Sequence, residues 1–281
     1  MLGCVGTRHA ESRADFAYGQ ILRLFILATS LTLTASTLTP NARAEPAPQP
    51  QFGWREVWAG SDVTKDVWLL YTGVTLAPWS KDIYTNGWRI RSASGYGEYT
   101  FPACAIDDPD CDTLDEGTHK HRTKFKAQVT YGEVLLGYHH QFGDLTAKAF
   151  AGVSIVQQNV RPSRKSSLAH GVEYGAKGAL EFWLNIGPDA WSSLDVSYST
   201  AFETGAARWR LGWRALPTVS IGPELRFDSN VDGRSGRAGL FARYEWMGGE
   251  ISVAAGAAGR WADDFADDLE PYATLNVLFQ F

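Results

Sequence analysis

The sequence predicts an all-β fold, an antiparallel barrel that crosses a membrane with its strands, preceded by a segment cut away on export. Three observations predict it. From Trp54 onward apolar and polar residues alternate with the period of two expected of strands whose faces differ. The chain ends inside one such segment, on the aromatic Phe281. Its first residues carry the pattern of a secretory leader.

The leader comes first. Arg13 and Arg23 precede an apolar run over residues 24–38, followed by Pro40 and then Ala42-Arg43-Ala44, a small-x-small cleavage pattern. The run is Thr-rich and shorter than the roughly 20 apolar residues a spanning helix needs. Residues 1–44 are therefore expected to be a signal peptide, residues 45–53 a short Pro-rich lead-in, and residues 54–281 the barrel. Cys4 lies upstream of the apolar run, which argues against a lipid anchor. The whole chain carries −5, and losing the leader makes it more acidic, so no basic field invites nucleic acid. At 13% aromatic content, with 11 Trp, it is too rich in apolar surface to stay disordered.

Twelve alternating segments follow, near 52–60, 66–78, 86–102, 124–140, 143–159, 169–185, 190–203, 206–215, 218–229, 236–246, 249–260 and 270–281. The first is the weakest, so ten strands remain an alternative. Most can reach the 9–11 residues of a tilted spanning strand. Trp209, Leu211 and Trp213 oppose Arg208, Arg210 and Arg214; Leu240, Ala242, Tyr244 and Trp246 oppose Arg243 and Glu245. In the last segment Ala273, Leu275, Val277, Phe279 and Phe281 share a face, and Tyr272, Thr274, Asn276 and Gln280 the other, interrupted only by Leu278.

The connections alternate in length, as short turns at one barrel end and longer loops at the other require. Those near Gln141, Gly187, Pro217 and Met247 are tight; residues 103–123, 160–169, 229–235 and 261–269 are longer and polar. Residues 79–85 are long for a turn, and 61–65 short for a loop. Trp54, Trp58, Trp79, Trp88, Trp183, Trp191, Trp246 and Trp261 fall near segment ends, where girdles at the headgroup level are expected. The ordinary alternative is that they fill a core. Phe281, Phe279 and Val277 form the terminal signal that barrel-assembly machinery would read, on a strand that must pair or leave backbone unsatisfied in lipid.

With the apolar face on lipid, the other face lines the interior. Candidate lumen charges are Arg89, Arg91, Arg208, Arg210, Arg214, Arg226, Arg243, Glu224 and Glu245, with Lys126, Lys148, Glu173, Lys177, Glu181 and Asp195 beside them. They either pair to fill a narrow barrel or ring a selective passage; the run Arg208, Arg210, Arg214 is the main candidate for the second role. Trp183 falls on the charged face and is the sugar-stacking candidate. Cys104 and Cys111, close together in an exported chain, are expected to form a local disulfide. Asp107, Asp108, Asp110, Asp112, His119 and His121 match no strong zinc or calcium spacing. No spacing of His139, His140 or His170 with serine suggests a triad, and no cofactor or catalytic residue is expected.

A resemblance adds to this. Tyr71-Thr72-Gly73, then Gly87-Trp88-Arg89-Ile90-Arg91 and Gly95-Tyr96-Gly97-Glu98-Tyr99, with Leu136-Gly137-Tyr138, Leu145-Thr146 and Ala151-Gly152, resemble the cellulose biosynthesis protein BcsS family. The resemblance implies a non-enzymatic outer-membrane barrel tied to cellulose synthesis or export. Its expected partners are outer-membrane lipid, the barrel-assembly machinery and a cellulose synthase or export complex, or cellulose itself. The alternatives from other classes are a general small-solute pore, a lipid-modifying barrel enzyme and an exported soluble sandwich.

Overall fold

The computed structural model describes residues 53–103, 123–161, 170–231, 233–260 and 269–281. The expected leader, the Cys104 and Cys111 pair, the acidic stretch with His119 and His121, and Trp261 lie outside the described residues.

Twelve strands follow one another, each antiparallel to the next: β1 (Arg55–Thr64), β2 (Val67–Leu76), β3 (Gly87–Ala103), β4 (Thr123–Phe142), β5 (Leu145–Arg161), β6 (Gly171–Ile186), β7 (Ala190–Ser199), β8 (Gly205–Leu216), β9 (Val219–Asn230), β10 (Gly233–Trp246), β11 (Gly249–Arg260) and β12 (Glu270–Gln280). β12 returns to β1, in register from Glu56↔Gln280 to Thr64↔Tyr272, and the sheet closes. Closure gives every strand two partners, the only sheet arrangement that leaves no edge in hydrocarbon.

Alternation places the side chains as the sequence predicts over most of the wall. Leu70, Val134, Leu136, Val153, Leu240, Val253 and Leu275 all stand exposed on the outer face. A belt of this size would be a liability in water and is the lipid face of a barrel. Aromatic pairs rim it: Trp88 with Tyr138 (centroids 5.5 Å) and Trp246 with Phe279 (5.8 Å) at one end, Trp68 with Tyr96 (5.4 Å) at the other. Three of the expected girdle residues are elsewhere. Trp58, Trp183 and Trp191 share the parity of inward neighbours such as Asp62, Glu181 and Ser193, and Trp191 is 1% exposed inside the barrel. Gly212 makes that possible, because a Cβ there would overlap the Trp191 indole.

The turn end of the barrel holds Gly143, Gly187 and Gly248, each at positive φ in a tight reversal. The loop end holds the longer connections. Between β1 and β2 only Lys65 and Asp66 intervene, because the Thr64 hydroxyl accepts the N–H groups of Asp66 (3.2 Å) and Val67 (3.0 Å) and closes the reversal. β7 stops at Ser199 instead of running to 203, since the chain turns into the barrel there.

Lys126 is a correction: it points outward and pairs with Glu98 at 2.6 Å. At the loop end the pattern of faces inverts. Phe101, Phe125, Ala127 and Val160 cluster inside, while Lys124, Lys126 and Arg161 face out. Beyond the lipid, the strands behave as a soluble sheet does, apolar within and polar without.

Candidate functional site

The lumen is the site that the alternation builds, and it has three levels. At the turn end, the long β2–β3 connection folds beneath the barrel. The Ile83 N–H donates to Gly53 O (3.1 Å) and the Ala77 N–H to Trp54 O (2.9 Å); both side chains are buried. Arg89 holds this segment, its guanidinium donating to the carbonyls of Ile83 (2.6 Å), Thr85 (2.5 Å) and Trp88 (2.9 Å). Above it, Arg91 and Lys148 converge on Glu181, and Arg91 lies 3.9 Å over the Phe150 ring. Beside Glu181 on β6, Trp183 stacks on Trp191 of β7 at 4.1 Å, with the Arg243 guanidinium 4.7 Å over Trp183. Arg243 also pairs with Glu250 (Nε, 2.8 Å) and Glu245 (2.9 Å). Arg214 donates to Asn185 (2.7 Å) and to the Pro188 carbonyl (3.0 Å), tying down the β6–β7 turn.

The middle level is a chain of ion pairs. Asp195 takes Arg208 at 2.7 Å, Glu224 takes Arg210 at 2.5 Å, and Asp62 takes Arg226 through two bonds of 2.8 Å. Arg237 stands 3.5 Å from both Asp62 and Asp228. Glu133 and Lys177 pair across β5. The Asp62–Arg226 pair joins β1 to β9, strands that are not neighbours in the sheet, so it runs across the interior. Tyr71 reaches over β1 to Asn276 (2.6 Å).

At the loop end, residues 200–204 fold inward through a 3-10 turn, Ala201–Glu203. Phe202 is 5% exposed, packed with Val156 and flanked by Val129, Tyr131 and Val231. Its N–H donates to Glu173 (3.0 Å), and its carbonyl accepts from the Val231 N–H (3.1 Å). Phe202 and Glu203 sit at φ of 48° and 49°, where a residue with a Cβ is strained. Tyr99 on β3 accepts from Asn230 on β9 at 3.3 Å, and those strands stand six apart around a ring of twelve. Opposite walls touch there.

The sequence-predicted lumen charges Arg89, Arg91, Arg208, Arg210, Arg214, Arg226, Arg243, Glu224 and Glu245 all face inward, and each has a protein partner. Trp183 faces inward too, with one ring face against Trp191. Val277, Phe279 and Phe281 face outward on the closing strand. Sequence reasoning missed Asp62, Glu133, Arg237 and Glu250, and Asp228, placed on the polar face with Arg226, pairs with Arg237. Parity with Glu56 was the signal for Asp62, and parity with Arg243 was the signal for Arg237. It also missed the infolding of Phe202, which alternation cannot express. Among the described residues no three His, Cys, Asp or Glu side chains are grouped to hold a metal. His139 is buried with Nδ1 unpartnered, and His140 packs 4.0 Å from Phe142 on the outer wall.

A family model described as cellulose biosynthesis protein BcsS matches residues 57–281. No curated protein matches the chain. Among solved structures, the chain is similar to the KdgM porin at 9% identity and a TM-score of 0.43, over 80% of this chain and 99% of that one. It is also similar to the translocator domain of the autotransporter NalP from Neisseria meningitidis, at 14% identity and 0.42, over 97% and 98%. A third is a TodX mutant described as a monoaromatic hydrocarbon channel, at 10% and 0.46, over 83% and 90%. Nothing about solute or activity passes from these three to this chain.

Proposed function

The chain belongs to the cellulose biosynthesis protein BcsS family, and from that membership we propose a non-enzymatic outer-membrane barrel that anchors a cellulose-producing assembly, or its polymer, at the cell surface. The observation that carries anchoring over conduction is the contact between opposite walls, Tyr99 to Asn230 at 3.3 Å, with the Asp62–Arg226 pair spanning the level below. Side chains that meet across the interior at two heights stand in the path a polymer would take through it. The lumen charges act on this reading as braces: each cation has its counter-charge or carbonyl, as a filled barrel needs and a selective ring does not.

The test is deletion in the native host, with cellulose assayed in three fractions: cell-bound, released to the medium and trapped in the periplasm. Anchoring predicts that polymer moves from cells to medium with no periplasmic accumulation. Loss of exterior polymer with periplasmic accumulation overturns anchoring in favour of export. Unchanged fractions, with unitary steps from the purified barrel in planar bilayers, overturn it in favour of a small-solute pore.

A further inference from the structure

The outer wall changes chemistry along β4 and β5. Val134, Leu136, Val153 and Ile155 are exposed and apolar, whereas Lys124, Lys126, Gln157 and Arg161 are exposed and polar. Lys126 and Arg161 are register partners on the same outer face. Two cations directly opposed across a strand pair repel one another. Glu98 offsets only Lys126, whose side chain is still 60% exposed. Among the described residues neither Lys124 nor Arg161 has an ion-pair partner. Lys126 and Arg161 stand four residues above the row of Thr130, where the exposed Tyr96 and Val172 on the flanking strands mark the edge of the apolar belt, about 10 Å along strands of ordinary rise and tilt, and Lys124 lies one step farther. Gln128, hydrogen-bonded to the Tyr96 hydroxyl, lies between them and the belt.

A cationic patch held on the outer wall just above the apolar belt meets the headgroup layer, where the matching partner is a phosphate. We propose that Lys124, Lys126 and Arg161 seat the phosphate of an outer-leaflet glycolipid. The phosphate bridges Lys126 and Arg161, relieving their repulsion, and Lys124 closes the site from above. This rests on the proposed outer-membrane function, with the end that carries the longer connections on the outer side, as such barrels have it.

The experiment uses the full barrel folded in detergent micelles, with native mass spectrometry against bisphosphorylated lipid A and its dephosphorylated form. The wild type is expected to retain the phosphorylated lipid. The K124Q/K126Q/R161Q variant loses about a hundredfold in apparent affinity, at the usual contribution of each basic residue near an anionic surface. These side chains make no lumen contact, and a heat-modifiability gel verifies each fold. If the triple variant does not fold, Arg161→Gln alone carries the test with a proportionally smaller loss. Equal retention by wild type and variant, or equal retention of the two lipids, overturns the site. A barrel that binds the phosphorylated lipid in micelles yet never inserts into vesicles overturns the membrane placement instead.

Discussion

Asp62→Asn is the substitution that most directly tests whether the lumen is held by its ion pairs. Asp62 is 2% exposed and accepts two bonds of 2.8 Å from Arg226, with Arg237 at 3.5 Å. Arg226 and Arg237 are themselves register partners on β9 and β10. The carboxylate therefore keeps two neighbouring cations apart electrically as well as pairing them. The amide preserves shape and removes the charge, leaving two poorly solvated guanidinium groups facing each other. Breaking a buried pair in this way costs about 3–5 kcal/mol. Removing one of the stranded cations as well, in D62N/R237Q, is expected to recover part of that loss. The assay is urea unfolding of barrels refolded into lipid vesicles, followed by tryptophan fluorescence. A loss below about 1 kcal/mol, the worth of an exposed ion pair, would refute the reasoning. It would mean that water fills the middle of the lumen and screens these charges.

Two further outcomes follow from the ends of the barrel. Arg89→Ala removes two hydrogen bonds to carbonyls of the infolded β2–β3 segment, each charge-assisted bond being worth about 1.5–3 kcal/mol. Trypsin should then cut after Lys81 more than tenfold faster in an otherwise folded barrel; an unchanged rate would show that Ile83 alone holds the segment. Glu203→Gly frees an exposed residue from a φ of 49° and should stabilise by about 1 kcal/mol. A fall in the urea midpoint would mean that the Glu203 side chain makes a contact worth more than the strain.

What the sequence reveals is set by what has a period. The outward row Ala273, Leu275, Val277, Phe279 is legible because one face must meet lipid, and a slip of one residue would invert it. The parity of Arg208, Arg210 and Arg214 is legible for the same reason. Their partners are not, because Asp62 and Arg226 lie 164 residues apart and nothing local joins them. Lys126 misleads because the rule itself inverts above the lipid, where Phe125 takes the interior. The length of residues 79–85 was visible as an anomaly. That it folds under the barrel depends on Arg89 and Ile83, contacts without a sequence period. Phe202 breaks alternation outright, and its left-handed backbone is dictated by the cavity it fills rather than by its neighbours in the chain.

The ladder between β1 and β12 has a consequence for time rather than for stability. Glu56 and Gln280, hydrogen-bonded across it, are 224 residues apart, and every other strand lies between them. No partial chain can make this ladder, so until the last strand is delivered the growing sheet carries two open edges. Contacts at such separations form late and slowly. The outer edge of the first strand therefore has no partner within the chain until then. Closure is then a single terminal event, which inserts the apolar row ending at Phe281 and completes the wall in one step.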